Sequence, residues 1–175
     1  MSKTEHTLYT WAAFLNSINK NNAMKERLNY ATVAPDAFKA MLAMEKYVED
    51  SGLERSLYEL VKTRASQLNG CAYCLDMHTK DARLGGETEQ RLYALSAWRE
   101  TPFYSERERA ALAWTEAVTL IAQNEIPDQL YEATRQHFNE KDIMALTMAI
   151  IAINGWNRLA ISFRKTPGSY QPVAH

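Results

Sequence analysis

Six glycines and five prolines are all that interrupt 175 residues, about half the usual share of the two. Most of them fall between stretches in which apolar residues recur at helical spacing, and Ala, Leu, Met, Glu, Lys and Arg dominate those stretches. Such a chain has few turns to spend on hairpins and strong propensity for long helices. No alternating strand pattern competes, so the expected architecture is all-α, a single-domain bundle of about eight antiparallel helices joined by short loops.

The breaks divide the chain as follows. Residues 7–19 form a first candidate helix, with Leu8, Trp11, Ala12 and Leu15 on one face, and the stretch from Asn19 to Ala34 reads as a connector. Pro35-Asp36 opens a helix to about Asp50, with the stripe Phe38, Met41, Leu42 and Val48. The next spans about Glu54 to Leu68, with Leu57, Leu60, Val61 and Leu68 facing inward, and Asn69-Gly70 ends it. A helix from about Cys71 to Leu84 stops at Gly85-Gly86. Thr88 opens another, ending before Pro102. Ser105 and Glu108 fit a capping box for a helix to about Gln123. Pro127-Asp128 starts one to about Phe138. The last runs from about Lys141 to Phe163, after which Pro167-Gly168 leads into a loose tail.

Formal charge is −1, with 23% charged residues of both signs interspersed. No basic field exists to hold nucleic acid or anionic lipid. The first twenty residues carry Glu5, His6, Asn16 and Asn19, which breaks the apolar core a signal peptide needs, and a cytoplasmic location is expected. The longest apolar run, Ile143 to Ile153 with Thr147 inside it, is too short for a membrane span and reads as a buried helix supplying core or subunit contact. A faint echo links Gln67-Leu68-Asn69-Gly70 to Ala152-Ile153-Asn154-Gly155, but one tetrapeptide does not establish a repeat.

Both cysteines sit in one motif, Cys71-Ala72-Tyr73-Cys74, and His78 follows four residues later. At about 100° per residue the three side chains fall within roughly 60° on one helix face, with Leu75 and Ala82, so this face packs inward. The thiols lie near the first turn after the Asn69-Gly70 break, where free backbone N–H groups favour an anion and lower a thiol pKa, most directly for Cys71. Three readings of the pair stand side by side: two small buried hydrophobes, part of a zinc site, or a dithiol that cycles. Zinc is disfavoured because Cys71 and His78 are about 10 Å apart along a helix axis and no second Cys-x-x-Cys exists. Alone, His78 suits a core histidine; one turn after Cys74 it can exchange a proton with sulfur. His6, His137 and His175 read as structural or solvated. Glu59, about 200° from Leu57 and beside Thr63 and Ser66, reads by periodicity as a solvated carboxylate.

The stretch Glu59-Leu-Val-Lys-Thr-Arg-Ala-Ser-Gln-Leu-Asn-Gly-Cys71-Ala-Tyr-Cys74-Leu-Asp-Met-His78 resembles the alkyl hydroperoxidase D (AhpD) family of the carboxymuconolactone decarboxylase superfamily. That motif has a glutamate twelve residues before the first cysteine and a histidine four after the second, and all four positions match. The segments Ala97 to Glu100, Ser105 to Ala110 and Ile153 to Leu159 look like further family segments. The resemblance covers residues 27–165, leaving 1–26 as a helical extension and 166–175 as a tail. It implies an all-helical homo-oligomer, trimeric or hexameric, that reduces hydroperoxides without a cofactor or metal and draws on a thiol or lipoyl-type reductant protein. By the same resemblance Cys74 attacks the peroxide, Cys71 resolves the sulfenic acid as a disulfide, and Glu59 with His78 relays the proton. The best-studied members carry a histidine before the second cysteine; here Tyr73 stands in its place, and a phenol is a poor neutral-pH proton carrier. A non-enzymatic redox-responsive oligomer is the alternative. Cysteine-free relatives decarboxylate a lactone, a reaction that retention of both thiols argues against.

Overall fold

The computed structural model describes residues 25–173; the candidate helix at 7–19 lies outside them, as do His6 and His175. Eight α-helices follow in order among the described residues: α1 (Tyr30–Val33), α2 (Pro35–Asp50), α3 (Arg55–Asn69), α4 (Ala72–Leu84), α5 (Glu89–Ala94), α6 (Glu106–Thr119), α7 (Asp128–Arg135) and α8 (Glu140–Phe163), with a 3-10 segment at Leu95–Glu100 after α5. No strand occurs among the described residues, and the all-α expectation holds.

The start signals act as expected. Pro35 occupies the first turn of α2, and the Ser105/Glu108 capping box forms reciprocally, with Glu108 N–H donating to Ser105 Oγ at 3.3 Å and Ser105 N–H to the Glu108 carboxylate at 2.7 Å. The stops are less faithful. Inside the connector, Asn29 caps the short helix α1. The 3-10 segment kinks at Ala97. Helix α6 ends at Thr119 rather than near Gln123, because Leu120 C=O turns to accept from Gln123 N–H at 2.8 Å. Helix α7 ends at Arg135, and Phe138 instead drops into the core beneath the Arg107 guanidinium.

Helix α3 is the axis of the bundle, packed against α4, α6 and α8. One apolar cluster joins Leu57 and Val61 of α3 to Ala111, Trp114, Ile143, Leu146 and Ile150; another joins Leu60 to Ala82, Leu92, Leu95, Trp98 and Leu112. Helix α8 is long and apolar enough to cross a membrane by length and composition, yet half of its most apolar window is buried inside this fold. The echo between Asn69 and Asn154 has a physical counterpart. Asn69 Nδ2 donates to Asn154 Oδ1 at 2.9 Å and to Asn157 Oδ1 at 2.8 Å, and Asn157 Nδ2 donates to Ser66 Oγ at 3.0 Å. These bonds tie the end of α3 to α8 just behind the cysteines.

Candidate functional site

Gly70 makes the turn that positions the thiols. It caps α3 in the left-handed region at φ 68°, which glycine adopts without the Cβ penalty. Cys71 N–H then donates back to Ser66 C=O at 3.0 Å, and the chain enters α4 with Cys71 as its N-cap. Cys71 Sγ accepts the Cys74 backbone N–H at 3.4 Å, as the first-turn placement predicts. The two cysteines are joined in a disulfide, with Cα atoms 5.4 Å apart. Both are buried against Ala65, Ile153 and Ala160, with Tyr73 and Trp156 packed over the cluster.

The hairpin of α3 and α4, pinned at Ser66 and Cys71, brings Glu59 opposite His78. Glu59 Oε2 lies 2.9 Å from His78 Nδ1, and both side chains are almost wholly buried. The solvated reading of Glu59 is therefore corrected: the residue is 1% exposed. Periodicity assumed that a polar stripe on an amphipathic helix faces water, but α3 has neighbours on its α4, α6 and α8 sides and its polar stripe becomes an internal seam. Burying a carboxylate without partners costs several kcal/mol. Arg55 and His78 supply the partners: Arg55 Nη2 is 2.8 Å from Glu59 Oε1, a charge contact whose N–H does not point at the oxygen. Glu59 Oε1, Thr63 Oγ1 and His78 Nε2 are the buried side-chain atoms that lack a hydrogen-bond partner among the described residues. With Nδ1 held by Glu59, the other ring nitrogen of His78 is left available.

A second polar group escaped sequence reasoning. Lys62, three residues after Glu59 on the same seam, is 1% exposed. Its ammonium bonds Glu45 of α2 and the Tyr58 hydroxyl and sits over the Tyr58 ring. Glu45 also accepts from Tyr58 Oη at 2.6 Å and from Trp156 Nε1 at 2.6 Å. Burial pushes Glu45 upward, but Lys62, Tyr58 and Trp156 outweigh it and hold the carboxyl below its ordinary value. Burial pulls Lys62 down against the pull of Glu45. Glu45 is thus ionised at neutral pH, with Lys62 Nζ at ion-pair distance from it. The signal available in the sequence was the stripe Glu59, Lys62, Thr63 and Ser66, polar on a helix otherwise fit for the core.

Between this network and α4 opens a cavity of about 370 Å³ lined by His78 and by Tyr73 and Trp156, the two aromatic residues that also pack over the cysteine cluster. Its lining also includes Tyr170, which corrects the expectation of a loose tail. Gly168 N–H donates to the Asp76 carboxylate at 2.9 Å, Lys80 Nζ to Tyr170 C=O at 3.0 Å, and Tyr170 Oη to Asp81 at 2.8 Å. Burial, then the Asp81 bond, pushes the Tyr170 phenol up to about 12, so it stays a donor. Glu59, His78 and Asp81 bring ligand atoms within 4.8 Å of one another, the only donor set for a metal ion that the described residues assemble. Its carboxylates are already engaged by His78, Arg55 and Tyr170.

The sequence signature of the carboxymuconolactone decarboxylase family matches residues 35–117, the segment that holds α2 to α5, nearly all of α6, and Glu59, Cys71, Cys74 and His78. The uncharacterized protein YdfG of Bacillus subtilis is 49% identical over 139 residues, covering 79% of this chain and 95% of the relative. A crystal structure of a protein of unknown function from Agrobacterium tumefaciens, suggested to be the antioxidant defence protein AhpD, is also 49% identical. It aligns with TM-score 0.80 over 83% of this chain and all of that one. An uncharacterized peroxidase-related protein from Silicibacter sp. TM1040, 27% identical, aligns with TM-score 0.67 over 75% of this chain and 70% of that one. Fold, motif and relatives agree: the chain is an AhpD-like member of the carboxymuconolactone decarboxylase family.

Proposed function

We propose that the protein is a thiol-dependent peroxidase and disulfide reductase in which Cys71 and Cys74 cycle between dithiol and disulfide. The observation that carries this reading is the buried Glu59–His78 pair, bonded at 2.9 Å, whose histidine lies on the motif helix one turn beyond Cys74. Glu59 holds Nδ1 of the ring and leaves Nε2 for proton exchange with sulfur. In the reduced protein the Cys74 thiolate attacks a peroxide oxygen; the S–O bond forms, the O–O bond breaks, and the departing alkoxide takes the proton carried by His78. Cys71 then attacks the Cys74 sulfenic acid. The S–S bond forms, and the sulfenic oxygen leaves as water with the Cys71 proton. A dithiol reductant, protein-borne or lipoyl-type, returns the disulfide to two thiols and is itself oxidised to a disulfide.

Tyr73 occupies the place of the second relay histidine and lines the cavity instead, so the Glu59–His78 pair carries the proton alone. The Cys74 N–H bond to Cys71 Sγ stabilises negative charge on Cys71 and suits it to the resolving step. Exposed apolar residues on α2 and α8, among them Leu42, Tyr47, Met144, Ile151 and Ile161, support a homo-oligomer; a monomer by light scattering at micromolar concentration would contradict that part.

Stopped-flow mixing of reduced protein with an organic hydroperoxide tests the chemistry. Peroxide loss should match loss of two thiols, and neither occurring would sink the reading. Mass spectrometry of Cys71→Ser and Cys74→Ser variants after brief peroxide treatment should find sulfenic acid at Cys74; its appearance at Cys71 alone reverses the order of attack. Glu59→Gln should slow thiol oxidation at pH 7 by about 10²-fold, within the range of a lost acid-base group; an unchanged rate removes the relay.

A further inference from the structure

The tail is held to the bundle by polar bonds rather than by apolar burial. From Thr166 to Val173 only Tyr170 and Pro172 are even partly covered. Docking rests on three hydrogen bonds along α4: Gly168 N–H donates to Asp76, Lys80 Nζ to Tyr170 C=O, and Tyr170 Oη to Asp81. Water replaces such bonds at modest cost, so a segment held this way opens more readily than the bundle beneath it. What the tail carries inward is one phenol. Burial, then the Asp81 bond, pushes it up to about 12, so it keeps its proton and donates at neutral pH.

The carboxylate that receives this phenol stands beside the relay. Asp81 follows His78 by three residues on α4, so the two side chains are neighbours on the helix surface. Its oxygen lies within 4.8 Å of ligand atoms on both Glu59 and His78, a gap that a side-chain rotation can close. Packing does not hold it back. Asp81, with Arg55 and Glu59, lines both the 370 Å³ cavity and a second one of about 290 Å³, so space opens on either side of the carboxylate. Among the described residues it has no basic partner at ion-pair distance, and Tyr170 Oη, at 2.8 Å, is its side-chain donor. Beside it is an imidazole whose Nδ1 is bound to Glu59 and whose Nε2 has no partner. Building on the thiol-peroxidase reading, we propose that Tyr170 is a positioning residue: its hydroxyl restrains Asp81 from the imidazole, so that Glu59 alone orients the ring and Nε2 stays free for proton exchange with sulfur. Undocking of the tail releases Asp81. Bound to Nδ1 it displaces Glu59, and bound to Nε2 it occupies the atom that serves the thiol; either contact disables the relay.

The test is Tyr170→Phe, which deletes the hydroxyl and keeps the ring, alone and combined with Asp81→Ala, which deletes the carboxylate it restrains. In stopped-flow oxidation of the reduced protein by cumene hydroperoxide, Tyr170→Phe should slow thiol loss by about tenfold, short of the roughly 10²-fold that a 1 Å misplacement can cost. The double variant should be faster than Tyr170→Phe and return to within about threefold of wild type, because the two residues act through one contact. A loss of packing alone would not be reversed by a second deletion. NMR nitrogen shifts of the His78 side chain, read on the disulfide form, follow the same contact without turnover: one ring nitrogen should move in Tyr170→Phe and move back in the double variant. Shifts that move and return in a protein that consumes no peroxide keep the positioning role and remove the peroxidase. With an active wild type, an unchanged Tyr170→Phe rate, unchanged His78 shifts, or a slowing that Asp81→Ala does not reverse overturns the proposal and leaves the peroxidase standing.

Discussion

Replacing Lys62 with methionine should destabilise the protein by an amount set by pH. The substitution keeps the long unbranched side chain and deletes the ammonium that neutralises Glu45, whose side chain is only 14% exposed. Glu45 then retains two neutral donors, Tyr58 and Trp156, against the burial of a full charge. Breaking one side of a buried pair typically costs about 3–5 kcal/mol. The carboxylate can escape part of that cost by taking a proton. From an unfolded pKa of about 4.3, at about 1.36 kcal/mol per pH unit, protonation at pH 7 costs about 3.7 kcal/mol and at pH 5 only about 1. The loss is therefore capped near those two values. The sign follows: in the variant Glu45 has a folded pKa raised above its unfolded one, so stability is kept at low pH and lost as pH rises. Urea unfolding of the disulfide form should show Lys62→Met destabilised by about 3–4 kcal/mol at pH 7 and about 1 at pH 5. Adding Glu45→Gln should recover most of the loss at pH 7. A loss below about 1 kcal/mol at pH 7, or one that does not shrink at pH 5, would refute the buried ion pair.

Gly70→Ala places a Cβ at φ 68°, and the left-handed conformation costs about 1–2 kcal/mol; thermal unfolding should show it, although no side chain crowds the position. If melting is unchanged, the strain argument for this turn fails. In the wild-type chain Glu45, Glu108 and Glu116 are each held below the ordinary carboxylate range; burial opposes this in each case, but Lys62 acts on Glu45, Arg91 on Glu108, and Trp98, Arg99 and Arg64 on Glu116. Depressed folded pKa values mean that this stability is present above about pH 4.3 and is lost as pH falls through the folded values. Denaturant midpoints should be flat from pH 7 to 5 and fall below about pH 4; a midpoint that rises on acidification contradicts the assignment.

The helical class, the positions of the starts and the shared face of Cys71, Cys74 and His78 were all legible in the sequence, because each depends on neighbours within a turn or two. Pro35, Ser105 with Glu108, and Asn69-Gly70 act through local backbone bonds that any helix would use. Helix ends were read less well, since whether α6 or α7 unwinds depends on where Phe138 finds the core and where the next helix must begin. Periodicity also misplaced Glu59. It sorts residues into core and solvent, and α3 has little solvent side: Glu59, Lys62, Thr63 and Ser66 are all buried.

The local chemistry was thus determined by the chain alone: a helix that begins at Cys71, a glycine turn that aims it, and a histidine one turn past the second thiol. Only tertiary packing decided what that chemistry works with. Glu59 reaches His78 because α3 and α4 fold back on each other, Lys62 finds Glu45 and Trp156 because α2 and α8 close over α3, and Tyr170 walls the cavity because the tail docks on α4. Those contacts span 17 to 111 residues of sequence, a distance over which helical periodicity carries no information.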